Sequence, residues 1–216
     1  MSTYAAQRLN MIDAQVRTND VTDSRILAAM GAVARERFVP ASKRALAYAD
    51  VPVDVSPGRF LLDPRTFAKL VALANVQAGD KVLDVGCATG YSSVVLAGLA
   101  RAVIALEQDA DLVRLASELL TSIGTSAVVT QGILNQGSRA NSPYDVIFLN
   151  GSLGAPPGAL LSQLAEGGRL VAVIADGSRS HAMRYVREQG RIGSWPGFDA
   201  SVPALVGFSK TVGFVF

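Results

Sequence analysis

An acidic residue followed by two closely spaced glycines is the feature of this 216-residue chain best suited to chemistry. Residues 82–93 read VLDVGCATGYSS, so an apolar run contains Asp84 and is followed by a turn bracketed by Gly86 and Gly90. Glycines at such a turn let the backbone approach a bound molecule closely. A second apolar run ends at Glu107, whose carboxylate can accept hydrogen bonds from both hydroxyls of a ribose. The glycine-bracketed turn and this carboxylate together predict a site for a cofactor with an adenosine-like end.

The spacing of the turn decides between kinds of cofactor. A dinucleotide fingerprint, Gly-x-Gly-x-x-Gly, would need a small third residue where this chain has Tyr91, and the Gly-Lys-Ser/Thr of a phosphate-binding loop is absent. The observed Asp-x-Gly-x-x-x-Gly resembles motif I of the class I S-adenosylmethionine-dependent methyltransferases, with Ala88 in place of the middle glycine. This cofactor has no pyrophosphate, and Asp84 would favour its ammonium and sulfonium charges.

The resemblance implies S-adenosyl-L-methionine as cofactor, S-adenosyl-L-homocysteine as product, and no metal. Glu107 would bind the ribose, Gly132 and Ile133 would meet the adenine, and Asn150 would end the fourth strand, where such enzymes bring the methyl group to the acceptor. The full set of expected cofactor-binding residues is Asp84, Gly86, Cys87, Ala88, Gly90, Tyr91, Ser92, Glu107, Gln108, Gly132, Ile133 and Asn150.

The elements that must position these residues alternate between strand and helix from Lys81 onward. This alternation predicts an α/β fold with a doubly wound, mostly parallel, seven-stranded Rossmann-like sheet and an N-terminal helical cap. Residues 1–80 are expected to form the cap and residues 81–216 the cofactor-binding domain, as one structural unit. The predicted strands are 81–85, 102–106, 126–131, 145–149, 169–175, 203–208 and 211–216. The predicted helices are 4–17, 23–37, one beginning at Asp63-Pro64, 90–99, 109–123, 156–165 and 178–189.

Three further segments carry a more specific resemblance. Residues 35–40 read RERFVP, residues 47–52 read AYADVP, and residues 167–171 read GGRLV. Together they resemble the protein-L-isoaspartate O-methyltransferases over nearly the whole chain. The resemblance implies methyl transfer to a carboxylate of damaged protein, with an isoaspartyl-containing protein or peptide as partner.

The acceptor loop departs from that family. Members read Gly-Gln-Thr-Ile-Ser-Gln-Pro where residues 58–64 read GRFLLDP, so the serine associated with the substrate carboxylate falls on Leu62. Two alternatives therefore stay open: a methyltransferase with another, small-molecule acceptor, or a catalytically degenerate protein that binds cofactor or a partner. The candidate acceptor-side residues are Arg59, Leu62, Asp63 and Asn150. Arg59 could pair with an acidic acceptor or be solvated, and Asp63 could act as a base or cap a helix.

Composition excludes several other classes of protein. Hydrophobic residues make up 50% of the chain, charged residues 18%, and the net charge is +2 with no basic stripe, so nucleic acid is not expected as a partner. No apolar run reaches the length of a membrane span, and no signal peptide is apparent at the N-terminus. The single cysteine, Cys87, excludes an intramolecular disulfide and favours the cytoplasm. The apolar excess permits a homodimer, and the one histidine, His181, is expected to be solvated on a helix.

Overall fold

The computed structural model describes residues 3–177 and 179–208. Its helices are α1 (Tyr4–Met11), α2 (Ser24–Ala32), α3 (Pro64–Ala74), α4 (Tyr91–Ala97), α5 (Ala110–Ile123) and α6 (Gly158–Leu161). Its strands are β1 (Val53–Ser56), β2 (Arg59–Leu61), β3 (Lys81–Val85), β4 (Ala102–Glu107), β5 (Val128–Gln131), β6 (Tyr144–Leu153), β7 (Leu164–Asp176), β8 (Arg179–Glu188) and β9 (Arg191–Asp199).

A seven-stranded sheet in the order β5-β4-β3-β6-β7-β8-β9 forms the centre of the described part of the chain. The strands from β5 to β7 are parallel to their neighbours, whereas β8 and β9 add in antiparallel fashion. The predicted α/β class and mostly parallel, seven-stranded sheet are therefore confirmed. Because parallel strands run in the same direction, the ends of β3 and β4 lie at the same edge, as a cofactor site requires. β6 runs beside β3 but continues to Leu153, so Asn150 lies within this strand and does not end it as predicted.

The N-terminal cap shares a hydrophobic core with one face of the sheet. Met30 and Phe38 of the cap belong to the same buried cluster as Val82 of β3 and Val95 of α4. Burial of such side chains is worth about 1.5–3 kcal/mol each, so the cap and the sheet stabilise one another. The division of the chain at residue 80 stays a prediction.

The C-terminal third differs from the prediction. Residues 179–188, predicted as a helix, form β8, and β9, which the sequence did not suggest, pairs with it. The polar sequence RSHAMRYVRE resembles a solvated helix, but on β8 it keeps Ala182 and Tyr185 buried while most of its charged residues stay partly exposed. Residues 203–208 form no strand beyond one bridge between Ser152 and Ala204, and the predicted strand 211–216 lies outside the described residues.

The remaining boundaries differ less. The helix predicted over 156–165 is limited to α6, because β7 already begins at Leu164. The helix predicted over 4–17 is shortened to α1 and continues as π- and 3-10-helical turns. The helix predicted over 23–37 ends with α2 at Ala32, and a separate 3-10 turn follows at Arg35–Phe38. The short β1–β2 hairpin, which carries Arg59, was not among the predicted strands. Within the described ranges, no helix combines the length and apolar character needed to cross a bilayer.

Candidate cofactor site

The turn after β3 is held in place by the neighbouring strand. The backbone N–H groups of Gly86 and Cys87 both donate to the carbonyl of Leu106, at 2.9 and 3.2 Å. Gly86 and Gly90 have φ angles of 72° and 92°, which side chains of L-residues rarely adopt. A Cβ on Gly90 would also lie 2.5 Å from Leu120 Cδ1. Glycine is therefore needed at residue 90 to pack the turn against α5.

Asp84 is a fully buried carboxylate at the end of β3. Its Oδ2 accepts hydrogen bonds from the hydroxyls of Ser92 and Ser93, and its Oδ1 accepts one from Asn150 Nδ2, each at 2.6 Å. Burial raises the pKa of Asp84, and the nearby charge of Glu107 raises it further, whereas the three hydrogen bonds lower it. The net direction is upward, so the ionised carboxylate is held in an environment that would favour a cation.

Asp84→Asn is expected to be more stable than the wild type, and the difference in free energy of unfolding is expected to grow as pH rises. Because the folded pKa of Asp84 lies above the unfolded one, the folded state binds more protons between the two values, and wild-type stability falls as pH rises through that interval. A difference of one pKa unit between the folded and unfolded states is worth about 1.4 kcal/mol in the free energy of unfolding. Asparagine cannot ionise, and the serine hydroxyls can either donate to it or accept from it.

Urea unfolding of both proteins at pH 4 and pH 8 measures this effect. The advantage of Asp84→Asn should be larger at pH 8, and Asp111→Asn, on the exposed first turn of α5, serves as the matched control. An advantage that is equal at both pH values would contradict the assignment.

Glu107 is also fully buried, and its carboxylate is already saturated with donors. Its Oε1 accepts from the backbone N–H groups of Gln108 (2.7 Å) and Asp109 (3.1 Å), and its Oε2 accepts from that of Ala88 (3.1 Å). Arg59 Nε lies 3.0 and 3.1 Å from the two oxygens. Arg59 is only 4% exposed, so it is neither solvated nor free to pair with an acceptor in this conformation.

The other expected cofactor-binding residues have varied surroundings. Burial raises the pKa of the Cys87 thiol well above its usual value, so Cys87 is not a nucleophile at neutral pH. Tyr91 packs between the rings of Phe38 and Phe67, and Ser92 is committed to Asp84. After β5, the side chain of Ile133 is exposed, as a residue that meets a ligand could be.

Two more expected residues lie close to Glu107. Gly132 donates its backbone N–H to the carbonyl of Glu107 at 2.9 Å, and Gln108 accepts at its carbonyl from the side chain of Gln131 at 3.4 Å. The loop after β5 is thereby fastened to the end of β4. Gly132 and Gln108 thus lie beside the carboxylate that the sequence assigns to the ribose.

The acceptor-side candidates are occupied by structural contacts. Leu62 is 3% exposed and its carbonyl accepts a 2.5 Å hydrogen bond from Arg35, while Asp63 caps α3 by accepting from Thr66 N at 2.8 Å. Asn150 bonds to Asp84 and to the carbonyl of Val85. Of the two roles considered for Asp63, the helix cap is the one that the geometry shows.

His181 lies on β8 and not on a helix. Its Nδ1 is 2.6 Å from Asp199 Oδ1, and its side chain is partly exposed. Among the described residues, no group of three or more His, Cys, Asp or Glu side chains is placed to hold a metal ion.

Sequence reasoning missed Ser93 and Leu205. Ser93 could have been found, because it follows Ser92 in the first turn of α4 and shares its partner Asp84. No sequence pattern pointed to Leu205, since it lies far along the chain from the turn that it covers. It is 4% exposed, and its Cδ1 lies 2.7 Å from the position that a Cβ on Gly86 would take.

The residues present fit S-adenosylmethionine in type and in position. Asp84, Gly86 and Glu107 meet at one edge of the sheet, and Gly86 leaves the cradle that a side chain would fill. In this conformation, however, Arg59 occupies the acceptors of Glu107 and Leu205 lies against Gly86. A ligand that used the acceptors of Glu107 and the open face of Gly86 would have to displace both side chains.

Comparison with known proteins places this arrangement in context. The sequence model of the family "Protein-L-isoaspartate(D-aspartate) O-methyltransferase (PCMT)" matches residues 6–194. A protein-L-isoaspartate O-methyltransferase of Koribacter versatilis is 37% identical over 194 residues, which cover 89% of this chain and 87% of the relative. One of Methanoculleus marisnigri is 31% identical over 191 residues, which cover 88% and 87%.

Solved structures agree on the fold. One protein-L-isoaspartate O-methyltransferase superposes with a TM-score of 0.81 at 21% identity and covers 93% of this chain and 66% of its own. A Plasmodium falciparum protein, solved with S-adenosyl-L-homocysteine as a candidate enzyme of the same name, gives a TM-score of 0.78 at 22% identity and covers 95% and 99%.

Proposed function

Since the chain belongs to the protein-L-isoaspartate(D-aspartate) O-methyltransferase family, we propose that it transfers a methyl group from S-adenosyl-L-methionine to a carboxylate of an isoaspartyl-containing protein or peptide. The observation that carries this proposal is the family match over residues 6–194, which contains both Asp84 and Glu107. S-adenosyl-L-homocysteine is the product.

The residues at the ends of β3 and β4 would hold the cofactor. When bound, S-adenosylmethionine supplies an electrophilic methyl group on its sulfonium sulfur. Glu107 would accept the ribose hydroxyls, Gly86 would allow close approach of the backbone, and Asp84 would favour the positive charges. Gly132 and Ile133 would border the adenine. Asn150 orients the Asp84 carboxylate through its 2.6 Å hydrogen bond.

A carboxylate acceptor suits the residues on the acceptor side. It is ionised at neutral pH and needs no general base, so alignment and exclusion of water are the main tasks of the protein. Asp63 and Asn150 are both engaged in structural hydrogen bonds, and neither has to remove a proton for this reaction. A carboxylate acceptor therefore does not need the general base that a hydroxyl acceptor would require.

A second candidate function, methyl transfer to a different acceptor such as a small molecule, is favoured by one observation. Leu62, which stands where the family has its substrate-associated serine, is buried in the core and offers no hydrogen bond from its side chain. The acceptor carboxylate would then need another donor, or the acceptor would be another molecule.

A radiolabelled methyl-transfer assay separates the two candidates. The protein is incubated with methyl-tritiated S-adenosylmethionine and either an isoaspartyl peptide or the same peptide with a normal aspartyl residue. We expect a base-labile methyl ester on the isoaspartyl peptide alone. If calorimetry shows that S-adenosyl-L-homocysteine binds but neither peptide becomes labelled, the isoaspartyl acceptor is contradicted and the second candidate is favoured. No binding of that ligand, even to the variants described below, would contradict both.

A further inference from the structure

The cofactor crevice is covered by two parts of the chain that contact one another. The first is the β1–β2 hairpin, whose Arg59 is bonded to Glu107. The second is the segment 203–208, which we call the strap. A Cβ on Gly58 of the hairpin would lie 3.1 Å from Val206 Cγ2 of the strap. Because they touch, the hairpin and the strap form one continuous cover.

Within the described residues, four hydrogen bonds fix the strap at the edge of the sheet. Ser152 donates its backbone N–H to the carbonyl of Pro203 and accepts from Leu205 N, both at 2.9 Å. Gly154 donates to the carbonyl of Phe208 at 3.0 Å, and Asn135 Nδ2 donates to that of Gly207 at 2.8 Å. Leu205 is the one buried residue of the six, so opening the strap would expose little apolar surface, and such segments open at low free-energy cost.

Leu205 is the side chain that the strap inserts into the crevice. It is buried, whereas its neighbours Ala204 and Val206 are exposed. It packs against Gly86, and Leu134 Cδ1 lies 3.6 Å from the position that a Cβ on this glycine would take. Leu205 therefore fills the space that the absence of a side chain at residue 86 creates.

Arg59 closes the other half of the crevice. A carboxylate has about four lone-pair positions, and those of Glu107 are taken by Arg59 Nε and three backbone N–H groups. The hydroxyls of a ribose could donate to Glu107 only after the guanidinium has withdrawn.

We propose that Arg59 and the strap are an intramolecular competitor of the cofactor, which must be displaced before S-adenosylmethionine binds; this rests on the proposed function. The observed affinity is then the intrinsic affinity reduced by the fraction of molecules in the open state. Weakening either contact raises that fraction. The cover thereby sets the concentration of S-adenosylmethionine at which half of the protein molecules bind it.

Calorimetry with S-adenosyl-L-homocysteine tests the competition. Arg59→Gln and Leu205→Ala are each expected to tighten binding by about tenfold or more, the factor that applies when closed molecules outnumber open ones by about ten to one. Arg114→Gln and Leu9→Ala, at an exposed arginine and an exposed leucine, are the matched controls and should bind as the wild type does. The rise in melting temperature with ligand confirms that each variant is folded.

Hydrogen exchange gives a second readout that does not depend on activity. The Leu205 amide, which donates to Ser152, should exchange faster in saturating S-adenosyl-L-homocysteine, because the ligand displaces the strap. A strap that merely closes over the ligand would exchange more slowly.

The outcomes keep the two proposals separate. Equal, tight binding by the wild type and both variants, with unchanged or slower exchange at Leu205, would refute the competition and leave the proposed function intact. Tighter binding by the variants without methyl transfer would support the competition and contradict the proposed function. If neither variant binds, both fail.

Discussion

Glu107→Ala is expected to lower the free energy of unfolding by about 3–5 kcal/mol, the range for removing one member of a buried ion pair. The variant would leave the Arg59 guanidinium buried with no opposite charge at its Nε. It would also deprive the backbone N–H groups of Ala88, Gln108 and Asp109 of their acceptor. Against a total stability of about 5–15 kcal/mol for an ordinary domain, such a loss is large. Urea unfolding monitored by circular dichroism measures it.

A double-mutant cycle assigns the cause of this loss. Arg59→Met removes the charge but keeps most of the packing volume, so Glu107→Ala should cost less when it is made in the Arg59→Met background. The coupling between the two sites is expected to be at least about 1 kcal/mol, within the range for contacting residues. Equal costs in both backgrounds would mean that Arg59 and Glu107 do not interact in solution.

Arg169→Met should cost a similar amount, about 3–5 kcal/mol, for the same electrostatic reason. Arg169 begins the central part of β7 and binds Asp80 through Nη2 at 2.5 Å. Its Nε and Nη2 also donate to the carbonyls of Ala74 and Asn75, at 2.6 and 2.5 Å. The side chain thus satisfies the C-terminal carbonyls of α3 and ties that helix to the sheet.

The matched control for Arg169→Met is Arg101→Met. Arg101 is an exposed arginine in the same region that donates to the carbonyl of Gly79. Its replacement should change stability by less than about 0.5 kcal/mol, as surface substitutions usually do. Comparable losses in the two variants would show that the Arg169 network contributes no more than an exposed contact.

The parts of the fold predictable from sequence were those set by local pattern. Asp63 before Pro64 indicates the start of α3, and the apolar stripe of α5 between Asp109 and Gly124 indicates its length. Both are confirmed because capping and periodicity depend on near neighbours in the chain. The prediction of a helix at β8 was wrong, because the polar sequence of β8 lacks the strict alternation of apolar and polar residues by which a strand is recognised.

The candidate site divides in the same way. The positions of Asp84, Gly86 and Glu107 at strand ends follow from the parallel sheet and could be predicted. The pairing of Arg59 with Glu107 and the contact of Leu205 with Gly86 join residues that are distant in sequence. No periodicity or spacing reports such contacts, so a loop arginine and a leucine near the C-terminus gave no indication that they cover the site.

The two outer strands of the sheet are poorly suited to pairing with a strand of another copy of the chain. β5, at one margin, has only four residues, and β9, at the other, contains Pro196, which has no N–H to offer a neighbouring chain. Short or proline-interrupted margins are poor templates for strand addition. Although Val128 and Trp195 expose apolar surface at these margins, neither margin, as the described residues form it, presents an unbroken ladder along which copies of the chain could stack into fibrils.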